Sequence, residues 1–297
     1  MDLEQVRRAG RDGLLSTHEA ERAGIDRREL AAAAQRGLVS RLGHGWYATA
    51  PVPDREDLHR LRAAAALLAD PSRAASHHTG LVLRHLPTYR APLATVQLVG
   101  PREPRRPAPG IRVRPRADMI LETVVVAGRE LACLPVATCI VQSGSTGCAE
   151  SALVSADAAL ASGQVTREQL DAALEAAAGM RGVRDLRRVL AWADPRHESP
   201  GESRQGYSLH RLGFDYEPQV WIGGDRVDAV LDVAPVVAEF DGALKYTSPA
   251  DLVAEKRRED RIRARGFEFV RSGWDDVGHL DAFERAIHAA IARSRRS

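Results

Sequence analysis

The sequence predicts an α/β protein, α+β overall, with two main parts joined by a connector. The first 50 residues carry two short helix signals and then a hairpin signal, whereas the last third alternates strands and helices. The chain has 297 residues, and at about 150 residues per domain this length suggests two domains. The predicted segments are residues 1–52, 53–195 and 196–297.

Two short helices are predicted near the amino terminus. Ser16 can cap a helix over residues 17–23. Asp26 and Glu29 have the spacing of a capping box, in which each side chain accepts a hydrogen bond from the other's backbone amide. The second helix should end at Gly37, because glycine readily adopts the left-handed conformation that terminates helices.

A hairpin is predicted directly after these helices. Strand-like residues flank Gly43-His44-Gly45 on both sides. Two strand-like segments separated by a short glycine-containing turn are typical of a β-hairpin. Helix, turn, helix and hairpin in this order predict a winged helix-turn-helix.

The segment GLLSTHEAERAGIDRRELAAAAQRGLVSRLGHGWYAT and the later SHHTGLVLRHLP resemble the AbiEi-type antitoxins of type IV toxin–antitoxin systems. The resemblance implies DNA binding, with the second helix in the major groove and the hairpin on the backbone. It also implies a cognate toxin as a partner. Candidate phosphate or base contacts are Arg27, Arg28, Arg36 and Arg41. The alternative is a protein-interaction module whose arginines are solvated.

The connector is predicted to mix helices and strands. We expect helix over residues 54–80, strands at 94–100 and 111–116, and an exposed Pro- and Arg-rich loop at 101–110. Helices separated by glycine-containing breaks should fill residues 136–193.

His77-His78 is an adjacent pair that could suggest a metal or catalytic site. A metal site needs further ligands at suitable spacing, and no carboxylate or cysteine nearby has that spacing. We therefore predict a hydrogen-bonded or surface pair with a structural function.

The last third predicts a second α/β domain. Two strands joined at Ala234-Pro235 precede a long charged helix, and the later strand–helix–strand order implies a right-handed parallel crossover. The predicted elements are a helix from Pro200, strands at 226–233 and 236–241, a helix from Ser248 to Gly266, a strand at 267–271 and a helix at 279–294.

Three carboxylates on the predicted hairpin are candidate metal ligands. Side chains alternate along a strand, so pairing about the turn brings Asp228 and Glu239 together on one face, and Asp241 shares the face of Glu239. Neighbouring carboxylates repel unless a cation neutralises them, and oxygen ligands suit Mg²⁺ or Mn²⁺. The alternatives are a strand-end turn at Asp228 and a solvated strand face paired to arginines.

ESPGESRQGYSLHRLGF, RVDAVLD, VVAEFDGALKY and EKRREDRIRARGFEFVRSGW together resemble the PD-(D/E)xK nucleases, and more closely their very-short-patch-repair-like branch. The resemblance covers about the last third of the chain and implies a restriction-endonuclease-like fold. It implies that Glu202 is the helical glutamate, Asp228 the metal-binding aspartate and Glu239 the acidic residue of the E-x-K element.

The chain departs from that motif at one position. Asp241 occupies the place of the motif lysine. Lys245, past Gly242, is the first candidate substitute, and Lys256 is the second. The helix that follows can contact phosphate through Lys256 and Arg257; alternatively, it is a solvated face with i,i+4 ion pairs.

Bulk properties limit the function classes. The formal net charge is only +2, so any nucleic-acid argument must rest on local patches. Three cysteines without a CxxC pair favour free thiols in a reducing compartment. No stretch approaches the roughly 18 apolar residues of a membrane span, so we expect a soluble cytoplasmic protein without a membrane partner. The oligomeric state is not predicted.

Two functions follow from these features. The first is a Mg²⁺-dependent DNA endonuclease in which Glu202, Asp228 and Glu239 hold or position the metal and Lys245 assists. The second is a DNA-binding antitoxin or transcriptional regulator whose nuclease-like domain is only a fold.

Overall fold

A computed structural model describes residues 2–102, 108–116, 120–242 and 249–296, with only the backbone described for residues 249–251. The predicted mixed α/β class is confirmed, because the described residues combine helices with several sheets. The chain divides into two compact units. One contains Met1–Gly147 and Glu168–Ala178, and the other contains Cys148–Arg167 and Gly179–Ser297. The proposed limits at residues 52 and 195 stay a prediction.

The amino-terminal winged helix-turn-helix is confirmed. Three short strands form a sheet in the order β1-β3-β2, with both pairs antiparallel. Helix α1 and strand β1, which the sequence patterns did not reveal, complete the fold. Its elements are α1 (Leu3–Ala9), β1 (Leu14–Ser16), α2 (Thr17–Arg22), α3 (Arg27–Gln35), β2 (Ser40–Gly43) and β3 (Trp46–Ala48).

Capping fixes where the two central helices begin. The Glu19 amide donates to the Ser16 hydroxyl at 3.1 Å, and the Ser16 amide donates to the Glu19 carboxylate at 2.8 Å. This pair is a complete capping box, which satisfies two amides that the helix leaves unpaired. At α3, Asp26 accepts from the amides of Arg28 and Glu29. The predicted helix starts are therefore confirmed.

The rest of this unit is built on a five-stranded sheet in the order β6-β5-β4-β8-β7. Strands β5 and β6 match the predicted strands, whereas β7 and β8 were not predicted. Its elements are α4 (Arg55–Ala69), β4 (Ala74–Ala75), α5 (His77–Leu83), β5 (Val96–Gly100), β6 (Ile111–Pro115), β7 (Glu122–Val126) and β8 (Arg129–Cys133).

The continuous helix predicted over residues 54–80 was wrong. Helix α4 ends at Ala69, and a turn and the short strand β4 separate it from α5. The Ser72 hydroxyl donates to the Asp70 carboxylate at 2.6 Å. Local bonds of this kind compete with helix, and Pro71 disfavours helical backbone at the residue before it.

His77 and His78 lie buried at the start of α5. His77 Nδ1 lies 3.0 Å from the Ser76 hydroxyl, and His78 Nε2 lies 3.0 Å from the Thr95 carbonyl. Burial lowers the pKa of His77 to about 3 and that of His78 to about 4. Both are hydrogen-bonded, as predicted, and they are interior residues, which excludes the surface alternative.

Four helices follow, as predicted, between residues 136 and 193. Glycine and short turns separate them. They are α6 (Val136–Thr146), α7 (Ala149–Ala161), α8 (Arg167–Ala176) and α9 (Val183–Leu190). Across the part of the chain that is described, no helix has both the length and the apolar character required to cross a bilayer.

The second unit contains a four-stranded sheet in the order β12-β11-β10-β9. The predicted β10–β11 hairpin and the parallel β11–β12 pair are both confirmed. Strand β9 was not predicted. The elements are α10 (Pro200–Arg211), β9 (Tyr216–Ile222), β10 (Asp225–Leu231), β11 (Val236–Phe240), α11 (Pro249–Arg263), β12 (Glu268–Ser272), a 3-10 turn (Asp276–Gly278) and α12 (Leu280–Ser294).

Both faces of strand β11 are buried. Val236 and Ala238 of β11 pack into one cluster with Ile287 of α12, whereas Val237 packs into another with Ile262 of α11. Side chains alternate along a strand, so Glu239 shares the face of Val237. This alternation places a carboxylate on the sheet face that α11 covers.

Candidate acidic site and nucleic-acid interface

Asp228 and Glu239 lie opposite each other on the β10–β11 hairpin. The register pairs Ala229 with Ala238 and Val230 with Val237, and one further step along both strands pairs Asp228 with Glu239. The Phe240 amide donates to Asp228 Oδ2 at 2.8 Å. The predicted approach of the two carboxylates on one face is therefore present.

Glu239 is a buried carboxylate with arginine neighbours. Its residue is only 2% exposed. Arg258 Nη2 on α11 donates to Glu239 Oε1 at 2.5 Å, and Arg271 Nη2 on β12 lies 3.3 Å from Glu239 Oε2. The predicted alternative of carboxylates paired to arginines thus describes Glu239, although its face is buried and not solvated.

The two arginines offset only part of the unfavourable effect of burying the Glu239 carboxylate. Burial raises the pKa of Glu239. The hydrogen bond and charge of Arg258 and the charge of Arg271 lower this pKa, whereas the negative charge of Asp228 raises it. The net direction is upward. Oε2 of Glu239 is also buried without a hydrogen-bond partner, so its interaction with Arg271 is one of charge alone.

The arginines connect Glu239 to further carboxylates. Arg271 Nη1 lies 3.1 Å from Asp241 Oδ2, and its Nη2 lies 2.8 Å from Glu255 Oε1. Arg258 Nε also donates to Glu255 at 2.9 Å. The hydrogen bond from Arg258 lowers the pKa of Glu255 to about 2. The result is one network of alternating charges over the sheet.

The fit of this site to a metal ion depends on these arginines. Within the described ranges, no three histidine, cysteine or carboxylate side chains are grouped to hold a metal. Asp228 and Glu239 offer two carboxylates, and Mg²⁺ commonly keeps several waters beside one or two such ligands. Oε2 of Glu239 is buried without a hydrogen-bond partner, so it could serve as one of these ligands. Oε1 already accepts a hydrogen bond from Arg258, whose positive charge takes the place of a metal ion at that atom.

The other predicted site residues have different surroundings. Glu202 Oε2 accepts from the Glu198 amide at 3.0 Å and from Gln219 Nε2 at 2.7 Å, so it secures the start of α10. Lys245 lies outside the described residues. Lys256 and Arg257 are exposed on α11. The ion pairs present on α11 include Arg258–Glu255 and Arg263–Glu259.

The winged-helix arginines differ in their pairing. Arg27 is ion-paired with Glu21 of α2. Arg28 and Arg36 are exposed at the two ends of α3, and Arg41 is exposed on β2. Leu30 and Ala33 of the same helix are buried, so α3 is held to its core by one face and leaves the other face in solvent.

A buried polar network in the second unit was not predicted. His197 Nδ1 lies 2.7 Å from Asp157 Oδ2, and His197 Nε2 lies 3.0 Å from the Tyr216 hydroxyl. Burial raises the pKa of Tyr216. Asp157 is a buried carboxylate among the apolar residues of helix α7, and this local anomaly was the available signal.

Residues 1–50 match the family described as "Transcriptional regulator, AbiEi antitoxin". The match covers α1 to β3 and does not extend to the β9–β12 sheet. It supports the predicted resemblance at the amino terminus. The PD-(D/E)xK resemblance of the last third stays a prediction.

The chain is also similar to two uncharacterized proteins of Mycobacterium tuberculosis, from strains CDC 1551 / Oshkosh and ATCC 25618 / H37Rv. Each is 29% identical over 184 residues, which cover 57% of this chain and 66% of the relative. The chain therefore spans slightly less than two thirds of each relative's length.

Proposed function

We propose that this protein is a DNA-binding regulator of the antitoxin type, which contacts duplex DNA through α3 and the β2–β3 wing. The observation that carries the proposal is the match of residues 1–50 to an AbiEi antitoxin regulator family on a segment that folds as a winged helix. Such a fold places its second helix in the major groove.

The solvent face of α3 suits that use. Its centre is rich in alanine, and small side chains allow a helix backbone to approach the base edges closely. Arg28 and Arg36 stand at its two ends, and among the described residues neither has a carboxylate partner. Exposed arginines that are not held by a carboxylate can bind phosphates or guanine edges.

The partner that follows from this proposal is a toxin protein. A nucleotidyltransferase toxin encoded beside this chain would support the antitoxin assignment. The test measures bacterial growth when that neighbour is expressed with and without the chain. Restored growth is expected. Growth arrest that this chain leaves unchanged would contradict the antitoxin part and leave DNA binding intact.

The DNA-binding part is tested by selecting bound duplexes from a random-sequence library and measuring their affinity by fluorescence anisotropy. We expect an enriched motif, and we expect Arg28→Ala to weaken its binding by about 1–3 kcal/mol if Arg28 contacts a base. Arg184→Ala removes the same charge from α9 and is the matched control. Binding that shows no enrichment and no dependence on Arg28 would contradict the proposal.

A second function, a metal-dependent DNA endonuclease, is favoured by one observation. Asp228 and Glu239 face each other on the hairpin, and Glu239 keeps a raised pKa beside two arginines. Asp228 and Glu239 would hold Mg²⁺ or Mn²⁺, with waters as the remaining ligands. The bound ion would polarise a phosphodiester and lower the pKa of a water. In this proposal Arg271 neutralises Glu239 and Asp241 when no ion is bound.

This function is tested on supercoiled and linear DNA with Mg²⁺ or Mn²⁺. Wild type is compared with Asp228→Asn and Glu239→Gln, and with Glu217→Gln on the exposed side of β9 as the control. Cleavage lost in the first two variants and kept in the control would support it. Absence of cleavage by pure wild type on every DNA form would exclude it, and cleavage by all variants would place the site elsewhere.

A further inference from the structure

A cavity of about 570 Å³ lies beside the wing of the first unit. Wing residues Arg41–His44 form one wall, and Arg62 of α4, Val96 of β5 and residues 108–111 form the rest. Sites for small organic molecules have volumes of roughly 300–1,000 Å³. The cavity therefore has the size of a ligand site, and nothing in the winged-helix assignment requires it.

The lining of the cavity has an apolar part and a cationic part. Leu42, Val96 and Ile111 supply aliphatic surface, and Leu42 and Val96 are buried. Arg41 and Arg62 supply two guanidinium groups. Over the ranges that the structure describes, no carboxylate forms an ion pair with either arginine. Unpaired guanidinium groups beside apolar surface are well suited to bind an anionic group in bidentate fashion.

The charge of Arg62 also acts on the interior. The pKa of His59, which lies on the same helix, is lowered by burial and further by the positive charge of Arg62. An anion beside Arg62 would offset this positive field. Arg62 is only partly buried, so its guanidinium stays accessible to an anionic ligand in the cavity.

We propose that this cavity binds a small organic anion, whose apolar body packs on Leu42, Val96 and Ile111 and whose anionic group contacts Arg41 and Arg62. A DNA phosphate would bring charge but no apolar body to cover the aliphatic wall. The lining therefore favours an amphipathic small molecule. This site does not depend on DNA binding or on the antitoxin assignment.

The test uses two fluorescent probes with the full chain. Anilinonaphthalene sulfonate carries an anionic group, and phenylnaphthylamine has the same rings without a charge. We expect the sulfonate to saturate one site per chain, and we expect Arg62→Met to weaken it about tenfold while phenylnaphthylamine binding is unchanged. Arg55→Met, at the exposed start of α4, is the matched control and should leave both affinities at the wild-type value.

A second variant tests the cavity without removing charge. Gly43 lines the cavity, and a Cβ added there would meet no atom within 4 Å. The backbone therefore leaves room for the start of a side chain, and the thermal melt of Gly43→Phe checks that this variant folds. We expect this variant to bind both probes at least tenfold more weakly because the ring takes up cavity volume. Wild-type affinities in Arg62→Met and Gly43→Phe would overturn the proposal. So would the absence of saturable binding, or displacement of the sulfonate by duplex DNA alone and not by benzoate.

Discussion

Glu239 on β11 and Arg271 on β12 are register partners across a parallel strand pair, and their Oε2 and Nη2 atoms lie 3.3 Å apart. Arg258 approaches the same carboxylate from the helix that covers this face. Sheet and crossover helix thus each contribute one cation to a single buried anion. The strength of this arrangement can be measured.

Arg258→Met should destabilise the second unit. Removing one partner leaves the Glu239 carboxylate buried with less compensation, and breaking a buried ion pair costs about 3–5 kcal/mol. Because Arg258 is 21% exposed, we expect a value near the lower end, about 3 kcal/mol. Urea denaturation measures it. Arg263→Met removes an exposed arginine from the same helix and should cost less than about 1 kcal/mol.

The double variant Glu239→Gln with Arg258→Met separates charge from packing. If burial of an unpaired carboxylate causes the loss, the neutral amide should restore part of the stability. A double variant that is as unstable as the sum of the two single variants would contradict a direct interaction.

Acid should destabilise the protein partly through Glu255. Its pKa in the folded protein is about 2, below the ordinary value of 4.5. A lowered pKa means that the folded state favours the carboxylate, so this contribution is present above pH 4.5 and is lost as the pH falls toward 2. Glu255→Gln should be less stable than wild type at neutral pH, and the difference should shrink across that window. A difference independent of pH would contradict this.

Glu21→Gln should strengthen DNA binding under the regulator proposal. Glu21 holds Arg27 in an ion pair at the surface of the winged helix, and its negative charge also repels phosphate. Freeing Arg27 should add up to about one phosphate contact, which steepens the dependence of log affinity on log salt by about 0.9. Anisotropy titrations over a salt series measure this. An unchanged slope and affinity would show that Arg27 faces away from the DNA.

Gly201→Ala should destabilise the acidic site through packing. A Cβ at Gly201 on α10 would lie 2.1 Å from the Phe240 ring, next to Glu239 on β11. Overpacking of this kind costs about 1–3 kcal/mol. Gly278→Ala is the control, because a Cβ there meets no atom within 4 Å. Equal melting temperatures for both variants would exclude close packing at Gly201.

The sequence was sufficient to predict the pairing of Asp228 with Glu239. Alternation along each strand and a proline turn between them are local signals, and the hairpin obeys them. The arginine partners could not be predicted in the same way. Arg258 reaches Glu239 only because α11 lies over one particular face of the sheet, and that packing depends on contacts far apart in sequence.

Strand β9 was missed for a physical reason. Its sequence contains Pro218, which argues against a central strand. In the sheet order β12-β11-β10-β9 it is an edge strand, which among the described strands pairs with β10 alone, and edge positions tolerate proline. The positive φ of 56° at Gln219 further interrupts the regular pattern. In the winged helix, caps and glycines sufficed to predict α2, α3 and the β2–β3 hairpin.

The bond from His197 to Asp157 has a consequence for modular exchange in evolution. A gene fragment that encodes only residues 196–297 would carry His197 and Tyr216 but leave behind Asp157, and likewise carry Arg204 but not its Glu150 partner, 2.7 Å away. Recombination at that point would leave His197 and Arg204 buried without their carboxylate partners. A gene fragment that keeps both pairs must therefore begin before α7, so α7 and the β9–β12 sheet are inherited together.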